Sequence, residues 1–242
     1  MSTKEILLDT NHRPWPLPAN NWSYYQEWVN PVFLHWFVDA DALQLLLPSD
    51  LQVDTMDGKA WISLVAFSME NIRPRGIMSF PPVSNFLELN VRTYVKFEGK
   101  PGVYFLSIEG GKWLSCFLAN KLSELPYRPS TMRMDRHTFS SQNDEFQDQL
   151  SFEYALGPVV KSKTKLDVWL TERYALFQDT PTHVNAFELH HAPWQLHEVS
   201  ISHLKVDYPR FNNFLKGAPQ KVHFSPGVKV LSWERISHRK KS

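Results

Sequence analysis

The sequence predicts an α+β fold built on a large, mainly antiparallel sheet or barrel with a few short flanking helices. Most segments read as strands, because they are rich in β-branched and aromatic residues and are bounded by turn residues. Few segments show helical periodicity, and those are short. The 242 residues are 43% hydrophobic and 21% charged, so the chain can bury a sizeable core and is not a disordered sequence.

The first 27 residues are predicted to form an extended arm. They are rich in proline and tryptophan, as in Pro14-Trp15-Pro16, and proline fixes φ while removing a hydrogen-bond donor. We expect the arm to dock by its aromatic rings. A short helix follows over 38–47, with Asp39 or Asp41 as its cap and Pro48 at its end.

Strands dominate the rest of the chain. The clearest is 87–97, in which Leu87, Leu89 and Val91 begin an apolar face that alternates with a polar one. The turn 99–102 then returns the chain along 103–109 as a hairpin. The predicted strands are 61–69, 87–97, 103–109, 132–139, 150–156, 173–177, 187–191, 199–204 and 228–236.

Two further helices are predicted, over 111–125 and 165–170. In the first, Leu114, Phe117 and Lys121 recur on one mainly apolar side, and Pro126 ends it. No linker is long enough to divide the chain, so we expect a single domain over 1–242. The basic residues of 237–242 are expected to be a disordered tail.

Composition excludes several classes of function. With 9 Gly, the sequence contains no G-x-G-x-x-G, G-x-x-x-x-G-K-[ST] or G-x-S-x-G motif, and therefore no phosphate-binding loop or nucleophile elbow of these kinds. A net charge of +1 is atypical of nucleic-acid binding. No segment has the length of a membrane span, and the N-terminus lacks a secretory signal, so we expect a cytoplasmic protein with neither membrane nor nucleic acid as partner.

The polar face of the strand 87–97 is the strongest candidate for a binding site. It carries Glu88, Asn90, Arg92 and Tyr94 at every second position. Either this face is simply solvated, or it lines a cavity in which the charged groups need partners because burial of one charge alone is costly. In a cavity, an arginine could bind a substrate carboxylate in bidentate fashion.

Other polar groups stand among apolar residues. Lys121 on an apolar helix face could act as a nucleophile, or its stem could lie on the core while the ammonium reaches water. His35 and His191 could line a pocket or be hydrogen-bonded core residues, and Arg173 could line a pocket or pair with Glu172. The histidine spacings do not match a zinc motif and Cys116 is the single cysteine, so no metal or other cofactor is expected.

Several segments together resemble the YqjF-like family, an uncharacterised group related by fold to acetoacetate decarboxylase. The resemblance covers about residues 28 to 196, in order and with compatible spacing. Its segments include Phe33-Leu34-His35-Trp36, Asn90-Val91-Arg92-Thr93-Tyr94-Val95, Leu170-Thr171-Glu172-Arg173-Tyr174 and His191-Ala192-Pro193-Trp194. The resemblance implies a cone-like antiparallel β-barrel with a ligand cavity, and it implies no known reaction.

Acetoacetate decarboxylase forms a Schiff base on a lysine that lies beside a second lysine. In the resemblance, the second lysine falls on Lys121 and the Schiff-base position falls on Asn120, whose amide cannot form an imine. Glu88 and Arg92 are then the counterparts of the cavity carboxylate and arginine.

Three hypotheses follow for the function. The first is a protein that binds a small organic acid or carbonyl compound, with Glu88, Arg92, Tyr94, Asn120, His35, Arg173 and His191 as candidate ligand-binding residues. The second is a lyase or hydrolase that acts on a keto acid through Lys121. The third is a structural or protein-interaction module, and a homo-oligomer stays open.

Overall fold

Within residues 2–240, which the computed structural model describes, the chain forms fifteen strands and five helices. The strands are β1 (Tyr24–Val38), β2 (Gln52–Val53), β3 (Ala60–Pro74), β4 (Phe86–Phe97), β5 (Lys100–Gly110), β6 (Tyr127–Pro129), β7 (Thr131–Asp135), β8 (Thr138–Asn143), β9 (Asp148–Val159), β10 (Ala175–Asp179), β11 (His183–His191), β12 (His197–Asp207), β13 (Lys221–Phe224), β14 (Gly227–Ser232) and β15 (Ile236–Arg239). The helices are α1 (Thr3–Leu8), α2 (Ala40–Gln44), α3 (Pro81–Ser84), α4 (Trp113–Ser123) and α5 (Lys165–Thr171).

The strands belong to one sheet in the order β14-β11-β10-β5-β4-β3-β1-β13-β12-β9-β8-β7. Strand β14 pairs with β1 as well as with β11, so seven strands form a closed circuit of pairings. The pairs of β5 with β6 and with β10 are parallel, and the neighbours of β4 are antiparallel to it. The predicted mainly antiparallel β architecture is confirmed.

The hairpin of β4 and β5 shows how local sequence sets the register. Glu98 and Gly99 form a two-residue turn with φ of 49° and 81°, between the paired residues Phe97 and Lys100. Positive φ at both positions is typical of the type I′ turn, whose twist matches that of the strands. The turn therefore lies at 98–99, and residues 100–102, which the sequence placed in the turn, belong to β5.

The alternation of β4 separates a hydrophobic core from a polar interior. Leu89 and Val91 are fully buried in a cluster with Phe139 and Phe152, which lie on β8 and β9. The part of the sheet from β12 to β7 therefore packs on one face of β1, β3 and β4. The other face of β4 points into the interior of the closed circuit, where the candidate site lies.

Within the described residues, both ends of the chain contain secondary structure that the sequence did not predict. Residues 3–8 of the expected extended arm form α1, because Ser2 and Glu5 make a capping box. The last residues of the expected arm, 24–27, begin β1, and between α1 and β1 the side chains of Arg13 and Trp15 both donate to Glu188 of β11. Strand β15 pairs with β11 where a disordered tail was expected, while Lys241 and Ser242, like Met1, lie outside the described residues.

Other differences concern element boundaries. The predicted strand 132–139 is wrong, because the chain turns at Arg136 and His137 and forms the hairpin of β7 and β8. The sequence patterns did not predict β1 or β13. The three predicted helices are confirmed as α2, α4 and α5. However, Leu114 and Phe117, which lie on the apolar side of the predicted helix, are exposed on α4.

No helix within residues 2–240 has both the length and the apolar character needed to cross a membrane.

Candidate functional site

A cavity of about 490 Å³ lies inside the circuit of strands, bordered by α4 and by the segment after β14. Its wall is mainly aromatic and aliphatic, and its apolar side chains include Trp28, Phe33, Val65, Phe67, Phe105, Leu125, Leu176, Phe187, Leu189 and Trp194. The buried polar residues that line it are Gln26, Glu88, Asn90, Arg92, Thr171, Arg173, His191 and Ser232. An apolar cavity with a few oriented polar groups is the usual form of a small-molecule site.

Strand β4 supplies three of these polar groups from one face. Glu88, Asn90 and Arg92 occupy alternate positions, and alternate side chains of a strand share a face. Asn90 donates to Glu88 through Nδ2 at 3.2 Å. Asn90 Oδ1 has no hydrogen-bond partner, although the side chain is buried.

Glu88 is a carboxylic acid whose protonation is set by its surroundings. Burial raises its pKa to about 7, and the hydroxyl of Tyr127, the amide of Asn90 and the charge of Arg92 lower it only in part. Tyr127 donates to Oε2 of Glu88 at 2.8 Å. Near neutral pH, Glu88 can therefore either give up or accept a proton.

Arg92 is a buried guanidinium without an ion-pair partner. Its Nη2 donates to the carbonyl oxygen of Leu170 at 3.3 Å, and its Nε has no partner. The guanidinium carbon lies 5.4 Å from the ring centroid of Phe33 and 5.8 Å from that of Tyr94. Among the described residues, no Asp or Glu side chain forms an ion pair with Arg92.

Arg173 is the second buried guanidinium of the wall, and its charge is compensated. Its Nη1 donates to Asp54 at 2.9 Å and its Nε donates to the carbonyl of Trp169 at 2.7 Å. It also stacks on the ring of Trp169, 4.2 Å from the centroid. Its Nη2 has no hydrogen-bond partner, so Arg173 keeps one free donor. The predicted pair with Glu172 is wrong, because Glu172 pairs with Lys163.

His191 is a neutral imidazole in an aromatic pocket. Burial lowers its pKa to about 4. Its Nδ1 lies 2.7 Å from the carbonyl oxygen of Ala192, and because a carbonyl only accepts, Nδ1 carries the hydrogen. Nε2 is then the acceptor. The ring packs against Tyr174 and Trp194, with centroids 4.9 and 5.2 Å away.

His35 and Tyr94 lie in a buried chain of hydrogen bonds and do not line the cavity. The chain runs from Asp167 to His223 (2.8 Å) and then to His35 (3.0 Å). From His35 it continues to Ser63 (2.6 Å), Tyr94 (2.8 Å) and finally the carbonyl of Leu170 (2.9 Å). Burial holds the pKa of His35 well below its usual range.

This chain, which we call the relay, lies next to the cavity. His35 stacks on Phe33 at 6.0 Å, and Phe33 lines the cavity. Leu170, at the end of the relay, is also the acceptor for Arg92. The relay therefore packs against the outer side of the cavity wall at Phe33 and Arg92.

The structure does not bring Lys121 or Asn120 to the cavity. Lys121 is exposed on α4, with its ammonium 5.9 Å from the ring centroid of Phe117. Asn120 is also exposed, and its side chain bonds to the backbone of Tyr127 at 2.6 and 2.9 Å. Among the described residues, no lysine lines the cavity.

Sequence reasoning missed several lining residues. Tyr127 orients Glu88, and the rings of Trp28 and Trp194 stack at 6.0 Å. Asn90 was placed on the correct face but was not chosen as a ligand-binding candidate. The Leu-Pro-Tyr segment at 125–127 could have drawn attention to Tyr127, since the proline ends the predicted helix and Tyr127 follows it directly.

The site offers hydrogen bonding, charge and proton transfer. Over residues 2–240, no group of three or more His, Cys, Asp and Glu side chains could hold a metal ion. The groups present are a guanidinium without an ion partner, a carboxyl that titrates near neutral pH and a neutral imidazole. Together they are complementary to a small anionic molecule with an apolar part.

Comparison with known proteins gives matches to a family and to a fold. The family model DUF2071, described as an uncharacterized conserved protein, matches residues 25–229. The uncharacterized protein YqjF of Bacillus subtilis (strain 168) is 34% identical over 229 residues, which cover 90% of this chain and 93% of YqjF.

Two solved structures show the fold. An acetoacetate decarboxylase-like enzyme from Sphingomonas wittichii RW1 superposes with a TM-score of 0.62 at 15% identity, covering 96% of this chain and 98% of that one. The enduracididine biosynthesis enzyme MppR, complexed with pyruvate, has a TM-score of 0.57 at 11% identity and covers 93% of each chain. At such identities the likeness concerns the fold alone.

Proposed function

The chain belongs to the DUF2071 family of uncharacterized conserved proteins, and from this premise we propose that it binds a small organic acid or carbonyl compound in its cavity. The closed circuit of strands acts as the wall of a cone-like barrel around the ligand. Arg92 is the charge partner of the ligand's carboxylate.

The observation that supports this proposal is that Arg92 is buried without an ion-pair partner among the described residues. Burying a cation away from water costs several kcal/mol unless an anion or several acceptors compensate it. Arg92 has one carbonyl acceptor at 3.3 Å, and Glu88 on the same face holds a proton for part of the time at neutral pH. A bound carboxylate supplies the missing negative charge, and a guanidinium suits it geometrically.

The remaining polar groups define what else the ligand carries. Arg173 Nη2 is a free donor for a carbonyl or carboxylate oxygen, while Asn90 Oδ1 is a free acceptor for a hydroxyl or amine. The volume of about 490 Å³ is ample for a small keto acid. A neighbour of the same fold was solved with pyruvate, which has both a carboxylate and a carbonyl.

Chemistry through Lys121 has no support from the geometry. An amine must reach the substrate carbonyl to form an imine, and Lys121 is exposed outside the cavity. If a keto acid reacts here, Glu88 is the cavity group with the pKa for proton transfer.

A thermal-shift titration of the full chain tests the proposal. The probes are pyruvate, acetoacetate and 2-oxo acids with longer apolar chains, and each is paired with its methyl ester as an uncharged control. We expect the acids to raise Tm with concentration and the esters to have little effect, since a ligand at 100 times its Kd adds roughly 2.7 kcal/mol to stability. Flat responses to every acid, or equal responses to acids and esters, would overturn it.

A further inference from the structure

An exposed apolar surface lies beside the cavity, and the proposed ligand binding does not use it. We call it the aromatic surface, and it consists of Ile77, Met78, Phe80, Trp113, Leu114 and Phe117. Met78 is 90% exposed, and Phe80 and Trp113 are each 65% exposed. Large apolar side chains exposed together on one face mark an interaction site.

Contacts between the two segments hold this surface together. The hydroxyl of Ser115 donates to the carbonyl of Val83 at 2.8 Å, and the ammonium of Lys112 donates to the carbonyl of Pro82 at 3.3 Å. Helix α4 therefore packs on α3, directly after Phe80. On α4 itself, the rings of Trp113 and Phe117 stack with centroids 5.5 Å apart.

The tip of this surface projects from the end of β3. Gly76 turns the chain with a φ of 78°, and an added Cβ there would meet no atom within 4 Å. Residues 78–80 have no regular secondary structure. Ile77, Met78 and Phe80 thus stand on a short projecting segment rather than on a flat sheet.

The two segments that carry the aromatic surface bear charge of one sign. Residues 71–87 and 110–123 contain no Asp or Glu. The exposed cations Arg75, Lys112 and Lys121 flank the apolar side chains. A second copy docked by a two-fold axis would place these cations near their own counterparts, which is unfavourable.

We propose that the aromatic surface docks this protein on an anionic lipid bilayer. Trp, Phe, Met and Ile side chains enter the interfacial region of a bilayer, and lysine and arginine bind anionic headgroups beside them. The sequence predicted no membrane partner, because no segment has the length of a membrane span, but a protein can also bind a bilayer at its surface. Ile72, Ala119 and Ser123, from the same two segments, line the cavity, so the docked protein would hold its cavity next to the bilayer.

Co-sedimentation of the full chain with vesicles tests this proposal. One set contains phosphatidylcholine alone, and the other contains phosphatidylcholine with phosphatidylglycerol at roughly 7:3. We expect binding to the anionic vesicles and weak binding to the neutral ones. Binding should be lost in 1 M salt, because the Debye length there is only about 3 Å and exposed charges are screened. Binding should shift the tryptophan emission to the blue as Trp113 leaves water.

Matched variants separate the outcomes. Trp113→Ser with Phe117→Ser should weaken anionic-vesicle binding about tenfold or more, and Arg75→Glu with Lys121→Glu should abolish the preference for anionic lipid. Leu45→Ser is the control, since Leu45 is 87% exposed directly after α2 and its loss should change neither. All of these side chains are exposed, so the variants should fold, and far-UV circular dichroism checks this.

Three results would overturn the proposal. The first is no vesicle binding by the wild type, and the second is binding that the Trp113 and Phe117 substitutions leave unchanged. The third is a dimer in sedimentation velocity that the same substitutions convert to a monomer, which would assign the surface to a second copy of the chain.

Discussion

Arg92 and Tyr94 donate to the same acceptor, the carbonyl oxygen of Leu170, at 3.3 and 2.9 Å. We expect Tyr94→Phe to cost about 1–3 kcal/mol, because Ser63 and Leu170 each lose a buried partner. Urea unfolding measures this cost. Tyr24→Phe is the control, since that hydroxyl has no hydrogen bond among the described residues. Equal stability of the Tyr94 variant and the wild type would contradict the buried contact.

The two arginines of the wall should respond differently to loss of charge. Arg173→Gln breaks a buried pair with Asp54, and we expect it to cost about 3–5 kcal/mol. Arg92→Gln removes a buried charge without an ion partner and should change stability much less. It should nevertheless abolish the thermal shift caused by carboxylates, whereas Lys121→Gln should leave that shift intact. A stable Arg92 variant that still binds the acids would refute the role of Arg92.

Glu88 should make stability depend on pH. Its pKa is about 7 when folded and 4.5 as the reference for an exposed group. Between these values the unfolded chain has lost the proton that the folded chain keeps, so this contribution to stability is full below pH 4.5 and is lost as pH rises through 7. The loss is about 3 kcal/mol, at about 1.4 kcal/mol per pKa unit.

Glu88→Gln removes this titration. Relative to the wild type, the variant should therefore gain stability between pH 5 and pH 8, which urea unfolding at both values measures. Glu109, whose pKa burial also raises to about 7, is present in both proteins and cancels in the comparison. A constant difference between variant and wild type across this range would show that Glu88 does not titrate there.

Closure of the strand circuit depends on Gly227. It pairs with Val29 where β14 meets β1, at a φ of 124°. An added Cβ would lie 2.2 Å from the carbonyl oxygen of Trp28. We expect Gly227→Ala to cost about 3 kcal/mol or more, from the clash together with strained backbone.

Gly217→Ala provides the matched comparison, because Gly217 also has a positive φ, 68°, but an added Cβ there meets nothing within 4 Å. It should cost only about 1 kcal/mol. Similar melting temperatures for the two variants would mean that the backbone can move apart at Gly227.

The sequence predicts the strands whose pattern is local. The alternation of 87–97 predicts one core face and one polar face, and it made Glu88 and Arg92 candidates for a cavity wall, with a solvated face as the alternative. Strand β1 was missed because it is buried on both faces at Phe33 and Leu34, so that apolar residues run on without alternation.

The position of α4 could not be predicted from its periodicity. Leu114, Phe117 and Lys121 have helical spacing, but the buried positions of the helix include Ser115 and Cys116. An exposed apolar stripe and a buried one look alike in a sequence, since only the tertiary packing decides which face is covered. The same reason explains the expectation that Lys121 lies near the site.

One hydroxyl hydrogen in the relay has two possible acceptors. Asp167 accepts from His223 Nε2, so His223 Nδ1 accepts from His35, and His35 Nδ1 then accepts the hydrogen of Ser63. The single hydroxyl hydrogen of Tyr94 can therefore point to Ser63 or to the Leu170 carbonyl. In the first orientation that carbonyl is left to Arg92, and in the second Arg92 must share it. An anion that draws Arg92 into the cavity thus favours the second orientation, in which Ser63 no longer receives the hydrogen of Tyr94.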